Sequence, residues 1–354
     1  MKKYAEIYRK IRDDITSETI KYGSKLPSKR AAADVFGASV ITVEHAYELL
    51  ESEGYVEAKA RSGYYVCYLS QGVLAEKEFP RPFKANSEDD KSVLTPDRSE
   101  RFPFLVYASA VRAVLSEYGE KLTEKTERGG ATELKIAIKN YLKTSRDVTA
   151  DEDRIVIGSG AEYLYGIIAR LVGENATFAV ESPSFGAIES IYAANGVKIE
   201  KLRLGKDGVL SEDLKKCRAK LIHLTPYRSF PTGVTASASK RAEYLFTAKK
   251  IGAYIVEDDY ESEFSLSAKL TETLFKNSAD DNVIYVNTFS KTIFPAMRLA
   301  YMILPKSLVG KYREIFGSFS CPVPTLEQYV TAKLINDGSF ARHVNRVRRS
   351  RRNK

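Results

Sequence analysis

The apolar positions Tyr4, Ile7, Tyr8, Ile11 and Ile15 recur at a helical period and predict a first helix. Gly23 and Pro27 then interrupt the chain. Ser28 is placed to cap a second helix that runs to Phe36 and closes at Gly37. Ser39 is placed to cap a third, with Val43, Ala46, Tyr47 and Leu50 on one face. EGYVEAKARSGYYV follows and reads as two short strands around the basic turn of residues 59–62. Residues 70–99 lose all periodicity and are rich in charge and proline, the pattern of an interdomain linker.

Beyond residue 100 the pattern changes to alternation. TELKIAIKNYLKTS, AEYLYGIIARLV and SKRAEYLFTAKKIG read as helices. RIVIGSG, TFAVESPSF, VKIEKLRL, AKLIHLTP, AYIVEDDY and NVIYVNTFSK read as apolar strands. Alternation on this scale predicts an α/β domain whose mostly parallel sheet is covered on both faces. The expected domains are a head over residues 1–68, a linker over 69–99 and a larger body over 100–354.

Composition adds exclusions. The chain has 354 residues and an ordinary apolar content, with no run long enough to span a membrane. Its charged start lacks the apolar stretch of a signal peptide, so a cytoplasmic location is expected. Cys67, Cys217 and Cys321 are widely separated, as are His45, His223 and His343, which leaves neither a disulfide framework nor a metal site to build. The net charge of +9 is local: RHVNRVRRSRRNK at the end supplies most of it, and the rest is close to balance.

Two helices joined at Gly37 and followed by a hairpin form a winged helix-turn-helix pattern. In that geometry the third helix offers Ile41, Thr42, Glu44 and His45 to a major groove, while Lys29, Arg30, Lys59 and Arg61 suit phosphates. Ser28 and Ser39 sit at the helix starts that face the duplex. The same pattern also fits a small three-helix protein-binding module.

In the body, the strand ends carry the chemistry. Gly158-Ser159-Gly160-Ala161 opens a helix and forms a small-residue anion cup. Asp258 and Tyr260 follow another strand, and Thr288, Ser290 and Lys291 follow a third, with Arg298 seven residues on. Pyridoxal phosphate uses such a set. A lysine amine bonds its aldehyde carbon, a carboxylate keeps its ring nitrogen protonated, and an arginine grips its phosphate. Singly, each element has a plainer role. Lys291 fits a solvated loop, EDDY a surface acid cluster or magnesium site, GSGA a strand–helix turn, and Phe185 a core position. The joint order and spacing carry the cofactor reading.

GSKLPSKR, TVEHAYELLESEGY and RSGYYV resemble the GntR-type winged-helix domain. FPTG (230–233), VEDDYESEF (256–264) and TFSKTIFPAMRLAYMILP (288–305) resemble fold-type I aminotransferases. Together they resemble the MocR subfamily of transcription regulators over nearly the whole chain apart from the linker. The resemblance implies a homodimer with exchanged heads that binds double-stranded DNA and uses pyridoxal 5'-phosphate to sense rather than to turn over, alone or with an amino acid effector. Family members regulate vitamin B6, amino acid or GABA metabolism. By position, it implies Lys291 as the Schiff-base lysine, Asp258 on the ring nitrogen, Tyr260 on the ring hydroxyl and Phe185 stacked on the ring. Gly160, Ala161, Thr288, Ser290 and Arg298 would hold the phosphate.

This chain departs from the family in several places. Val40 stands where an arginine usually follows Ser39. Phe230 replaces the asparagine of catalytic relatives, and EKTERGG replaces a Gly-Asp-Pro turn near residues 124–130. The chain ends within what resembles the start of a long helix leading to a small C-terminal lobe. A truncated member lacking that lobe is therefore expected, one that keeps its cofactor site and loses the arginine that grips an effector carboxylate. A true aminotransferase, and a plain DNA-binding repressor with a degenerate second domain, are the alternative readings.

Overall fold

The computed structural model describes residues 3–59, 62–68, 100–173, 176–265 and 272–352. The predicted linker (residues 69–99) and Arg61 lie outside the described residues.

The head is built from α1 (Lys3–Thr16), α2 (Lys29–Phe36), α3 (Val40–Ser52), β1 (Val56–Lys59) and β2 (Gly63–Val66). Ser28 caps α2 by accepting from Ala31 N at 3.2 Å, and Ser39 caps α3 by accepting from Thr42 N at 3.1 Å. Gly37 ends α2 at φ 55°, a left-handed conformation that a Cβ would penalise. Ile7, Tyr8, Ile11 and Ile15 of α1 pack on Val43, Ala46, Tyr47 and Leu50 of α3. The wing strands pair antiparallel, with Val56 opposite Val66.

The body continues with α4 (Phe104–Tyr118), α5 (Thr132–Arg146), β3 (Ile155–Gly158), α6 (Ala161–Val172), β4 (Thr177–Ser182), α7 (Gly186–Ala194), β5 (Lys198–Gly205), β6 (Gly208–Val209), α8 (Ser211–Lys216) and β7 (Leu221–Leu224). After these come α9 (Ala238–Ile251), β8 (Tyr254–Asp258), α10 (Leu274–Asn277), β9 (Val283–Thr288), β10 (Ala300–Ile303), α11 (Lys306–Phe316), α12 (Thr325–Asn336) and α13 (Ser339–Arg352). The strands form an eight-stranded sheet, among the described residues, in the order β3-β10-β9-β8-β7-β4-β5-β6. The pairs β4–β5, β4–β7, β7–β8 and β8–β9 are parallel.

Strand β10 runs against both its neighbours, with Ala300 opposite Gly158 of β3 and Thr288 of β9. That reversal decides where the site forms. A residue just before β10 arrives at the same sheet edge as residues just after β3 and β9. One sheet face packs on α6, α7 and α11 through Val156, Val180, Val256 and Val286. The other packs on α4, α5, α12 and α13 at one end and on α8 and α9 at the other.

The arginine-rich end is not a loose tail. It forms α13, whose Phe340, Val344 and Val347 are buried in the core. Arg351 pairs with Glu100 and Glu261, and Arg348 donates to the Glu263 carbonyl.

The head sits against the start of α9. Ala238 N donates to the Glu53 carbonyl at 2.9 Å, and Ala238 is buried within the head's own apolar cluster. Arg12 pairs with Glu272 at 2.6 Å. No helix among the described residues is long and apolar enough to cross a membrane.

Candidate functional site

A cavity of about 140 Å³ opens at the carboxyl edge of the sheet, roughly the room an aromatic ring fills. Its lining includes Ala161, Phe185, Asp258, Tyr260, Thr288, Ser290, Lys291 and Arg298. Every residue expected to hold a cofactor is thus in the wall except Gly160, and Gly160 lies directly behind Arg298. A Cβ on Gly160 would stand 2.6 Å from the Arg298 guanidinium, so only glycine lets the cation lie over the first turn of α6. Both partners have positive φ, 86° at Gly160 and 47° at Arg298. For an arginine this is a costly conformation, of the kind found at ligand sites.

Strand pleating sorts the acidic run at the end of β8. Glu257 and Asp259 point away from the cavity. Glu257 accepts from Leu274 N and Phe275 N at 2.8 and 2.9 Å, and Asp259 pairs with Arg146 and accepts from Tyr285 at 2.6 Å. Asp258 alone faces the cavity side. Its Oδ2 accepts from the Tyr165 hydroxyl and lies 3.6 Å from His223 Nε2. The other ring nitrogen, His223 Nδ1, is 2.8 Å from the Tyr192 hydroxyl. Asp258 Oδ1 and Ser290 Oγ are buried and have no hydrogen-bond partner among the described residues. Buried polar atoms left without partners mark places where a ligand or water is wanted.

Burial lowers the Lys291 amine below the ordinary lysine value, opposed by Glu261 and reinforced by Arg351 and Arg228. A larger share of it is therefore neutral and nucleophilic at a given pH. The Tyr260 hydroxyl donates to the Arg228 carbonyl at 2.9 Å, and burial pushes its phenol up. Phe185 stands at the cavity rim with its ring edge-on to Phe230, centroids 6.3 Å apart. Phe230 itself lines the cavity.

Sequence reasoning missed Glu162, Tyr165, Thr225 and His223. Glu162 and Tyr165 are one helical turn apart on α6, so once Ala161 starts that helix its period could have found them. His223 gave no signal, because a lone histidine in an apolar strand looks like core.

In the head, the polar candidates are largely engaged locally. Ser28 and Ser39 are caps, and the Thr42 hydroxyl is 2.8 Å from Ser39 Oγ. Lys29 pairs with Glu44, and Lys59 lies 3.1 Å from Glu57. His45 is exposed and edge-on to Tyr4. Arg30 is exposed with no ion-pair partner among the described residues. Val40 and Ile41 present exposed apolar surface at the start of α3.

Two family profiles cover the chain. "Bacterial regulatory proteins, gntR family" matches residues 3–66, and "Aminotransferase class I and II" matches residues 99–353. The HTH-type transcriptional regulator YdeL of Bacillus subtilis, itself uncharacterized, is 30% identical over 99% of this chain and 77% of its own length. The probable rhizopine catabolism regulatory protein MocR of Rhizobium meliloti is 28% identical over 98% of this chain and 74% of its own. The Pyrococcus horikoshii kynurenine aminotransferase superposes with a TM-score of 0.66 at 21% identity, covering 72% of this chain and 65% of that one. The body therefore has the aminotransferase fold. The chain belongs to the GntR-family HTH-type transcriptional regulators whose helix-turn-helix head is fused to an aminotransferase class I and II domain, the MocR type.

Proposed function

We propose that this protein is a transcription regulator whose head binds double-stranded DNA and whose body holds pyridoxal 5'-phosphate as the sensed ligand, alone or with an amino acid. The observation that carries the reading is the convergence of Lys291, Asp258 and Arg298 on one cavity, with Asp258 Oδ1 and Ser290 Oγ buried there and unpartnered. The residues fit the cofactor. When bound, pyridoxal phosphate supplies an aldehyde for a reversible bond to an amine and an electron-withdrawing ring. Lys291 offers the amine, Asp258 holds a proton at the ring nitrogen, and Phe185 bounds the ring face. Gly160, Ala161, Thr288, Ser290 and Arg298 receive the phosphate, and Tyr260 is within the same wall to reach the ring hydroxyl.

In the head, Arg30 and the lysines suit phosphates and α3 suits a major groove. On this reading the protein is cytoplasmic, since its head acts on DNA. Exposed Phe104 and Leu105 on α4, each more than 70% accessible, support association of two copies.

The test is visible absorption of the protein with added pyridoxal phosphate, before and after borohydride, beside Lys291→Ala. The expected result is an absorption band that borohydride removes and the variant lacks. DNA footprinting on its own promoter with and without cofactor then reads the response, and the absence of any protected site with folded protein would sink the regulator reading. A second reading, slow amino transfer, is favoured by the fold and opposed by Phe230. Steady-state assay with an amino acid and a 2-oxo acid separates the two.

A further inference from the structure

The Arg298 guanidinium is already engaged. Its Nη2 lies 2.5 Å from Glu162 Oε2, and Glu162 is the second residue of α6. The carboxylate thus sits where a helix start and an arginine both favour negative charge, which is the environment a phosphate would seek. Glu162 also lines the cavity.

We propose that Glu162 is a built-in competitor for the phosphate of the cofactor, setting the concentration at which the pocket fills. The inference rests on the cofactor reading above. Glu162 neutralises Arg298 and holds it over Gly160. An incoming phosphate must displace the carboxylate from the guanidinium and then tolerate its charge nearby. Both side chains are close to half exposed, 48% for Arg298 and 45% for Glu162, so the displaced carboxylate can turn to solvent. That exposure makes Glu162 a tuner of affinity rather than a block. A regulator needs occupancy that follows ligand concentration, and a weakened anion grip supplies it. The contribution falls on the phosphate alone, so the phosphate-free vitamer escapes it.

The experiment is equilibrium titration of wild type and Glu162→Gln with pyridoxal 5'-phosphate and, separately, with pyridoxal, followed by visible absorption. Glutamine keeps the size and hydrogen-bonding capacity and removes the charge. The expected result is affinity for pyridoxal phosphate tighter by about tenfold in the variant, the scale for one partly screened unit charge, with pyridoxal unchanged. Equal affinity of the two proteins for pyridoxal phosphate, weaker binding by the variant, or an equal gain for both vitamers overturns the inference while leaving the cofactor reading in place. Failure of both proteins to bind pyridoxal phosphate overturns the cofactor reading and the inference with it.

Discussion

The Tyr165 hydroxyl donates to Asp258 Oδ2, from the second turn of α6 to the last residue of β8. The bond leaves Oδ1 as the carboxylate oxygen without a partner, so Tyr165 orients Asp258. Tyr165→Phe removes a hydrogen bond to a charged group and should weaken pyridoxal phosphate binding by about tenfold, read by equilibrium titration. Asp258→Asn should weaken it further, because an amide cannot hold the ring proton.

Lys291 should react at lower pH than surface lysines, since burial lowers its amine and Arg351 adds to the effect. Arg351→Gln removes a nearby cation and one of the two arginine partners of Glu261, which keeps Arg228 at 3.5 Å, and both changes raise the amine's value. The pH profile for covalent linkage to pyridoxal phosphate should shift to higher pH in that variant. An unshifted or acid-shifted profile would contradict the assignment.

Burial pushes the Glu181 carboxyl up to about 8 against hydrogen bonds from Ser229 and the Thr225 backbone. The folded state therefore favours the neutral acid. Its contribution to stability is fully present below the ordinary value of 4.5 and is lost as pH rises through about 8. Glu181→Gln removes that titration while keeping an oxygen to accept from Ser229, 2.6 Å away in the wild type. Its stability relative to wild type should improve with pH across this window, by up to about 1.4 kcal/mol per unit. Urea unfolding at pH 5 and pH 8 reads the difference.

Arg12→Ala should loosen the head from the body. Glu272 is buried and would lose its 2.6 Å arginine partner, keeping Lys276 at 3.2 Å and Asn277 at 3.4 Å. A cost of roughly 1–3 kcal/mol is expected. Hydrogen exchange should rise at the Ala238 amide, which bonds the Glu53 carbonyl, and stay unchanged in the central strands.

Arg30→Ala should weaken DNA binding about equally across sequences and reduce the salt slope by about one, as for the loss of one phosphate contact. A change in sequence preference instead would place Arg30 against a base.

Much of this architecture was legible. Ser28, Gly37 and Ser39 punctuate the head because capping is a local interaction, fixed by a few neighbouring residues. Apart from β6 and β10, which were not read as strands, the body strands were legible because each is a short apolar run ending in small or polar residues. Strand order was not, since it depends on pairing between distant segments. The reversed β10 was therefore invisible, and with it the reason Arg298 meets Gly160. The buried set of Tyr192, His223 and Tyr165 around Asp258 was equally hidden, because each residue on its own strand or helix is indistinguishable from packing. Tyr260 shows a further limit: its place in the wall could be inferred, but its bond to the Arg228 carbonyl could not.

Glutamate and glutamine codons differ by a single base. The set point that we assign to the Glu162–Arg298 pair is therefore one mutational step from release, and the step leaves the sheet, the lysine and the head untouched. A lineage can retune its threshold in place, each ancestor folded and responsive.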